Sequence, residues 1–134
     1  MSISEKNALN ISKVLTEALP YIRKFNNKVV VIKYGGSAME NKVLQKNLAR
    51  DLVLMKTVGI HPILVHGGGP QIDFKLKKNN IKFEFKDGIR KTTLEMINIV
   101  QKVLDNKINK DISELIRFWG GKTSRLIGKK DSPI

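Results

Sequence analysis

Three short stretches hold the residues best suited to chemistry. Lys33 precedes Gly35 and Gly36 in "KYGGS"; Gly67, Gly68 and Gly69 follow His66 in "HGGGP"; Arg90 sits in "DGIRKTT" among lysines. Glycine lets a backbone approach an anion closely, and the free amides at a helix N-terminus point towards it. Lys33 adds a full positive charge beside the first glycine pair. Such a set supplies donors where charge spreads over a phosphoryl group in transfer. The planar fork of an arginine suits bidentate capture of a carboxylate. Alone, either glycine cluster reads as a tight turn and Arg90 as a surface residue. Two clusters in successive strand–helix units read as an anion site.

The elements that must position these residues follow from periodicity. Val29 to Lys33 is an apolar, β-branched run that predicts a buried strand ending at the first glycine pair. His61 to Val65, "HPILV", predicts a second strand that breaks into the glycine triplet, with Pro70 placed to open a helix through about Lys78. Between the strands, Leu44, Leu48, Leu52 and Met55 mark one face of a helix from about Asn41 to Thr57. Residues 5–25 predict an earlier helix, carrying Ala8, Ile11, Val14, Leu15, Ala18, Leu19 and Ile22, with Pro20 interrupting or kinking it. Residues 82–92 alternate Phe83 and Phe85 with charges and contain Asp87-Gly88, a hairpin signal. Thr92 and Glu95 form a capping-box pattern for a helix through Asp105, and a further helix bears Ile108, Ile112, Leu115, Ile116 and Trp119. "TSRLIG", 123–128, is expected to open another strand. Alternating apolar strands and helices imply an α/β fold with a mainly parallel sheet sandwiched by helices. Ligands of such sheets sit beyond the carboxyl ends of the strands, where both glycine clusters fall.

Composition narrows the classes. The chain has 134 residues, no cysteine and a formal net charge of +13. Disulfides and thiolate metal sites are therefore excluded, and no apolar run is long enough to span a membrane. The lysines are dispersed, and the densest group, Lys75 to Lys86, has only Phe83 and Phe85 as aromatic company. That pattern fits a solvated face and no nucleic-acid partner. His61 and His66 lack ligand-spaced partners, so no protein metal site is expected, and His66 is expected to hydrogen-bond its own turn. Trp119 reads as core, and Asp51 and Asp73 as helical acids in solvated pairs. "GGKTS" at 120–124 lacks the glycine a P-loop needs, since Ile116 stands there.

Together, "VVVIKYGGSAM", "LVHGGGPQI" and "DGIRKTT" resemble the amino-acid kinase family, in particular its members that phosphorylate N-acetyl-L-glutamate in arginine biosynthesis. The resemblance extends through "NKDISELIRFWGGKTSRLIGKKDSPI" and covers nearly the whole chain. It implies transfer of the ATP γ-phosphoryl to the side-chain carboxylate, giving an acyl phosphate, with Mg2+ arriving on ATP. It assigns Lys33 to transition-state stabilisation, and Gly35, Gly36 and Gly67 to phosphate binding. Gly68, Gly69 and Arg90 are assigned to N-acetyl-L-glutamate. Residues 1–27 look like an N-terminal helical extension, which implies a homo-oligomer, a dimer or a hexamer built through that helix. Residues 28–134 look like the acetylglutamate-binding lobe. The C-terminal nucleotide-binding part is missing, so the fold is expected to be incomplete, the isolated chain inactive, and an apolar sheet edge or face exposed. A cytoplasmic setting is implied, with the plastid stroma as alternative. Two other functions fit the same loops: a kinase of a related acylated amino acid such as N-acetyl-aminoadipate, and a non-catalytic acetylglutamate-binding or regulatory module.

Overall fold

The structure is a computed structural model that describes residues 3–127. Helix α1 spans Glu5–Phe25, with the Ser4 hydroxyl accepting from the amide of Asn7 at its start. It runs through Pro20 without a break in helix and buries no residue; only Ala18 and Ile22 of its apolar stripe are half-buried.

Strand β1, Val29–Tyr34, pairs in parallel with β2, His61–His66, in the register Val31 to Ile63 and Lys33 to Val65. Helix α2, Lys42–Thr57, connects them, capped by the Asn41 side chain accepting from the amides of Val43 and Leu44. It turns Ala49 and Leu52 inward. Side chains alternate across a strand, and the two faces of this sheet differ sharply. Tyr34 and Leu64 pack into the core, whereas Val29, Val31, Ile63 and Val65 are exposed on the opposite face. Among the described residues, the expected sandwich is therefore filled on one side, and an apolar sheet face lies open.

Helix α3, Gly69–Lys78, starts immediately after the glycine triplet, with Pro70 in its first turn. A hairpin follows, β3 (Phe85–Lys86) and β4 (Ile89–Arg90), turned by Asp87 and Gly88 at φ 52° and 76°. Two successive positive φ values are what a type I′ turn demands, so the Asp-Gly signal is realised as expected.

The last third departs from expectation in three places. The N-cap is Thr93, one residue later than Thr92, and its reciprocal partner is the Met96 sulfur. Met96, held by this cap, is in the core at 2 % exposure. Secondly, the two expected helices are one continuous helical run. Helix α4, Leu94–Gln101, passes into a π-helical stretch, Lys102–Asn109, and then into α5, Lys110–Phe118. The buried residues of that stretch, Val103 and Ile108, are five apart. An α-helix would turn them to different faces, while i→i+5 winding keeps both on the core. Thirdly, Trp119 is not core. The residue is 42 % exposed, and its ring meets Phe118 edge-on at 5.6 Å.

The core joins these elements behind the sheet: Tyr34, Met39, Ile72, Leu76, Met96, Val103 and Ile108. Leu76 is wholly buried, which at about 25 cal/mol per Å2 contributes about 2 kcal/mol. Thr123–Ile127 adopts no strand, and Gly128, the end of that expected strand, lies outside the described residues, as do residues 129–134. Arg125 instead reaches back to the Asn109 side chain and the Asp105 carbonyl. An open trough of about 690 Å3 lies between that segment, α2, α5 and β2. None of Lys33, the glycine turns or Arg90 lines it.

Candidate functional site

The parallel pairing of β1 and β2 brings both glycine turns to the same end of the sheet. The Gly67 amide donates to the Tyr34 carbonyl at 2.9 Å, tying the second turn to the first. That amide is thereby occupied by the protein, so the direct phosphate contact expected of Gly67 is not offered by its N–H. Gly67 instead links the two turns. Gly36 has φ 60°, in the left-handed region, and opens a short 3-10 turn, Gly36–Met39. Tyr34 points inward, its hydroxyl donating to the Ala38 carbonyl at 3.0 Å, and burial pushes that hydroxyl above its ordinary pKa.

Gly68 caps α3 without a side chain and sits against the π-helical stretch. A Cβ there would come within 2.7 Å of Ile108 Cδ1 and 2.8 Å of Leu104 Cδ2. The glycine is favoured by close approach to these two side-chain ends, not by an unusual φ. Ile72 donates to the Gly68 carbonyl and closes the first turn of α3. The amides of Gly69 and Gln71 precede it at the helix start, where no intrahelical acceptor exists. His66 turns its Nδ1 to the Gly67 carbonyl at 2.9 Å, as expected of a residue bonding its own turn.

Lys33 is exposed at the end of β1, on the open face beside Val65. Among the described residues no acidic side chain lies within ion-pair distance of it.

Arg90 is not a surface arginine. Its side chain is only 12 % exposed. The hairpin register sets it opposite Phe85, and Phe83, two residues earlier, shares the face of Phe85. Arg90 Cζ consequently lies 4.7 Å from each ring centroid. The centroids are 6.1 Å apart with their planes at 79°, too close to lie on opposite faces of the guanidinium, so the rings form a corner around it. Nη2 donates to Asp73 on α3. Nη1 is buried and has no acceptor among the described residues.

Asp73 was expected in a solvated pair; it is instead partly buried in this ion pair. It lies four residues past Gly69, roughly 6 Å along the helix axis at 1.5 Å per residue. The Asp73–Arg90 bond therefore anchors the hairpin one turn from the glycine triplet. Asp51, by contrast, is exposed beside Arg50, as expected. Asp73, Phe83 and Phe85 were not singled out from sequence as site residues. The alternation of Phe83 and Phe85 was a usable signal for a shared face, but nothing local paired Asp73 with Arg90.

A parallel strand–glycine–helix repeat, with an exposed lysine at one strand end and an arginine bonded to the helix that follows the second turn, defines an α/β unit with two glycine turns at one end of its sheet. Residues 28–127 match the amino acid kinase family, and the chain belongs to that family. Within it, the chain is 51 % identical over 129 residues to an acetylglutamate kinase from Stutzerimonas stutzeri (strain A1501), and 50 % identical to one from Marinomonas sp. (strain MWYL1). Each match covers 96 % of this chain and 43 % of the relative, so the chain spans less than half the length of those relatives. Among solved structures, N-acetylglutamate synthase from Neisseria gonorrhoeae complexed with coenzyme A and N-acetyl-glutamate aligns with TM-score 0.59 at 23 % identity. That alignment covers 78 % of this chain and 23 % of the synthase. The same synthase complexed with coenzyme A and L-arginine gives the same TM-score over 87 % of this chain and 26 % of the synthase. At this identity the likeness shows the fold alone.

Proposed function

We propose that this chain is the acetylglutamate-binding lobe of an acetylglutamate kinase, with 28–134 as the lobe and 1–27 as a helical extension. The observation that carries the proposal is the buried Nη1 of Arg90, left without an acceptor among the described residues while its neighbour Nη2 is held by Asp73, one helical turn past the glycine triplet. Buried guanidinium N–H groups seldom go unpaired, and a substrate carboxylate, admitted as the side chains over this nitrogen shift, would complete this one. High identity to acetylglutamate kinases along nearly the whole chain supports N-acetyl-L-glutamate as that substrate.

In the reaction, a side-chain carboxylate oxygen of the bound substrate attacks the γ-phosphorus of ATP. The new O–P bond gives the acyl phosphate, and ADP leaves with the electrons of the broken bond. Lys33 steadies charge on the moving phosphoryl group, and Gly35 and Gly36 lie along the phosphates. Gly68 and Gly69 direct amides to the substrate side, while Gly67 holds the two turns in register. The exposed ammonium of Lys33, without an acidic partner among the described residues, fits polyanionic ATP. Among the described residues no group of three or more His, Asp or Glu could hold a metal ion, and Mg2+ would be carried by the phosphates.

Helix α1, amphipathic yet without a buried residue, supports homo-oligomerisation through the extension; sedimentation of the full-length protein with and without residues 1–27 tests it. No helix among the described residues is long and apolar enough to cross a membrane. A cytoplasmic enzyme is the setting proposed, and the plastid alternative gains no support from the relatives described above.

The deciding experiment offers the full-length protein ATP, Mg2+ and hydroxylamine with N-acetyl-L-glutamate or N-acetyl-aminoadipate. Hydroxamate and ADP formed with N-acetyl-L-glutamate are the expected result. Turnover of the longer substrate alone would reassign the substrate. Binding without ADP release would make the protein a non-catalytic module.

A further inference from the structure

We infer that Asp73, with Phe83 and Phe85, is a positioning residue for Arg90: it holds the Nη2 edge so that the guanidinium keeps one orientation for the substrate carboxylate. The inference rests on the proposed role of Arg90 in binding N-acetyl-L-glutamate.

An arginine side chain has many rotamers, and a free one loses that freedom when it grips a ligand. Here the freedom is already removed. Asp73 takes one nitrogen, the two rings form a corner around the guanidinium, and the residue is 12 % exposed. The remaining buried nitrogen has no acceptor among the described residues. Because Asp73 is on α3, one turn beyond Gly69, the same contact sets the distance between the arginine and the glycine amides. The hairpin and the glycine turn are thus registered to each other through a single ion pair.

Two opposing effects attend removal of Asp73. Loss of its negative charge favours an incoming carboxylate, while loss of its acceptor frees the arginine to rotate. Asp73 is one-third exposed, so solvent screens the charge effect, and orientation is expected to dominate. Two substitutions separate them. Asp73→Ala removes both charge and acceptor; Asp73→Asn removes the charge and keeps an acceptor oxygen.

The test is steady-state kinetics of the full-length enzyme, with melting temperatures recorded in parallel. Asp73→Ala should raise KM for N-acetyl-L-glutamate about tenfold, while KM for ATP and kcat stay within about twofold. Asp73→Asn should recover most of that loss, and in an Arg90→Ala background Asp73→Ala should add nothing further. Phe85→Leu, at an exposed ring, should shift the same KM in the same direction by about threefold, which tests the corner should Asp73→Ala fail to fold. An unchanged KM in Asp73→Ala overturns the inference, as does a lowered KM in both Asp73 variants or an effect that persists without Arg90. If Arg90→Ala itself leaves KM unchanged, the underlying substrate role fails instead.

Discussion

Gly68 lies so close to Ile108 that a Cβ on the glycine would come within 2.7 Å of Ile108 Cδ1. The contact joins the start of α3 to the π-helical stretch, so the geometry of the proposed substrate loop depends on how residues 102–109 wind. The π turns that keep Val103 and Ile108 on the core also place Leu104 and Ile108 against this loop.

Gly68→Ala should therefore destabilise the full-length protein by about 1–3 kcal/mol, the usual cost of overpacking a filled site. Ile108→Val removes the crowded Cδ1. The double variant should be less destabilised than the sum of the two single changes, as read by urea unfolding of all three. Simple additivity would mean that the loop moves away without involving Ile108.

Local signals made much of this site readable from sequence. The β-branched run before Lys33, the glycine triplet followed by Pro70, and the Asp87-Gly88 turn each specify their conformation within a few residues. The structure realises all three. The environment of Arg90 was not readable, because Asp73 is 17 residues away and meets it only after α3 and the hairpin have packed. The π winding was hidden for a similar reason. Leu104 and Ile108, four apart, fit ordinary α-helical spacing, so nothing local marks a π turn until the core buries both Val103 and Ile108. The one-residue cap shift from Thr92 to Thr93 follows from the burial of Met96, a tertiary preference that overrides the local Thr92–Glu95 pattern. Trp119 matched helical spacing but falls just beyond the end of α5, where the register no longer points it inward.

Arg90→Ala should raise KM for N-acetyl-L-glutamate by about 10–100-fold, the worth of a charged hydrogen bond, with a smaller effect on kcat. Arg90→Lys should fall between, since it keeps the charge but loses the fork and its fit against Phe83 and Phe85. Initial-rate kinetics with varied acetylglutamate at saturating ATP measures both. Equal affinity in wild type and Arg90→Ala would remove Arg90 from the substrate site.

Tyr34 gives a pH dependence of known sign. Its hydroxyl is buried and donates to the Ala38 carbonyl, and its pKa is raised by desolvation. The folded state therefore holds this proton to higher pH than the unfolded state, whose tyrosine titrates near about 10. The contribution is complete below that value and is lost as pH rises through the higher folded pKa. Unfolding free energies of wild type and Tyr34→Phe should accordingly differ by a constant below about pH 9. Their difference should shrink, in the disfavour of wild type, at more alkaline pH. A difference that stays flat through that range would mean that Tyr34 ionises as freely folded as unfolded.

Lys33 separates chemistry from folding. Its side chain is exposed at the end of β1 and forms no ion pair among the described residues, so its removal costs the fold little. Lys33→Ala should leave the melting temperature of the full-length enzyme nearly unchanged. If Lys33 meets the phosphoryl group as charge moves onto it, the same change should lower kcat by about 10²–10³-fold, the usual loss on deleting one preorganised donor. KM for N-acetyl-L-glutamate should hardly move, because the proposed grip on that substrate is from the Arg90 side. A uniform rise in both KM values with kcat intact would instead assign Lys33 to ground-state binding of ATP. Unaltered turnover would remove it from the reaction, and the open end of β1 would then serve only to carry Gly35 and Gly36.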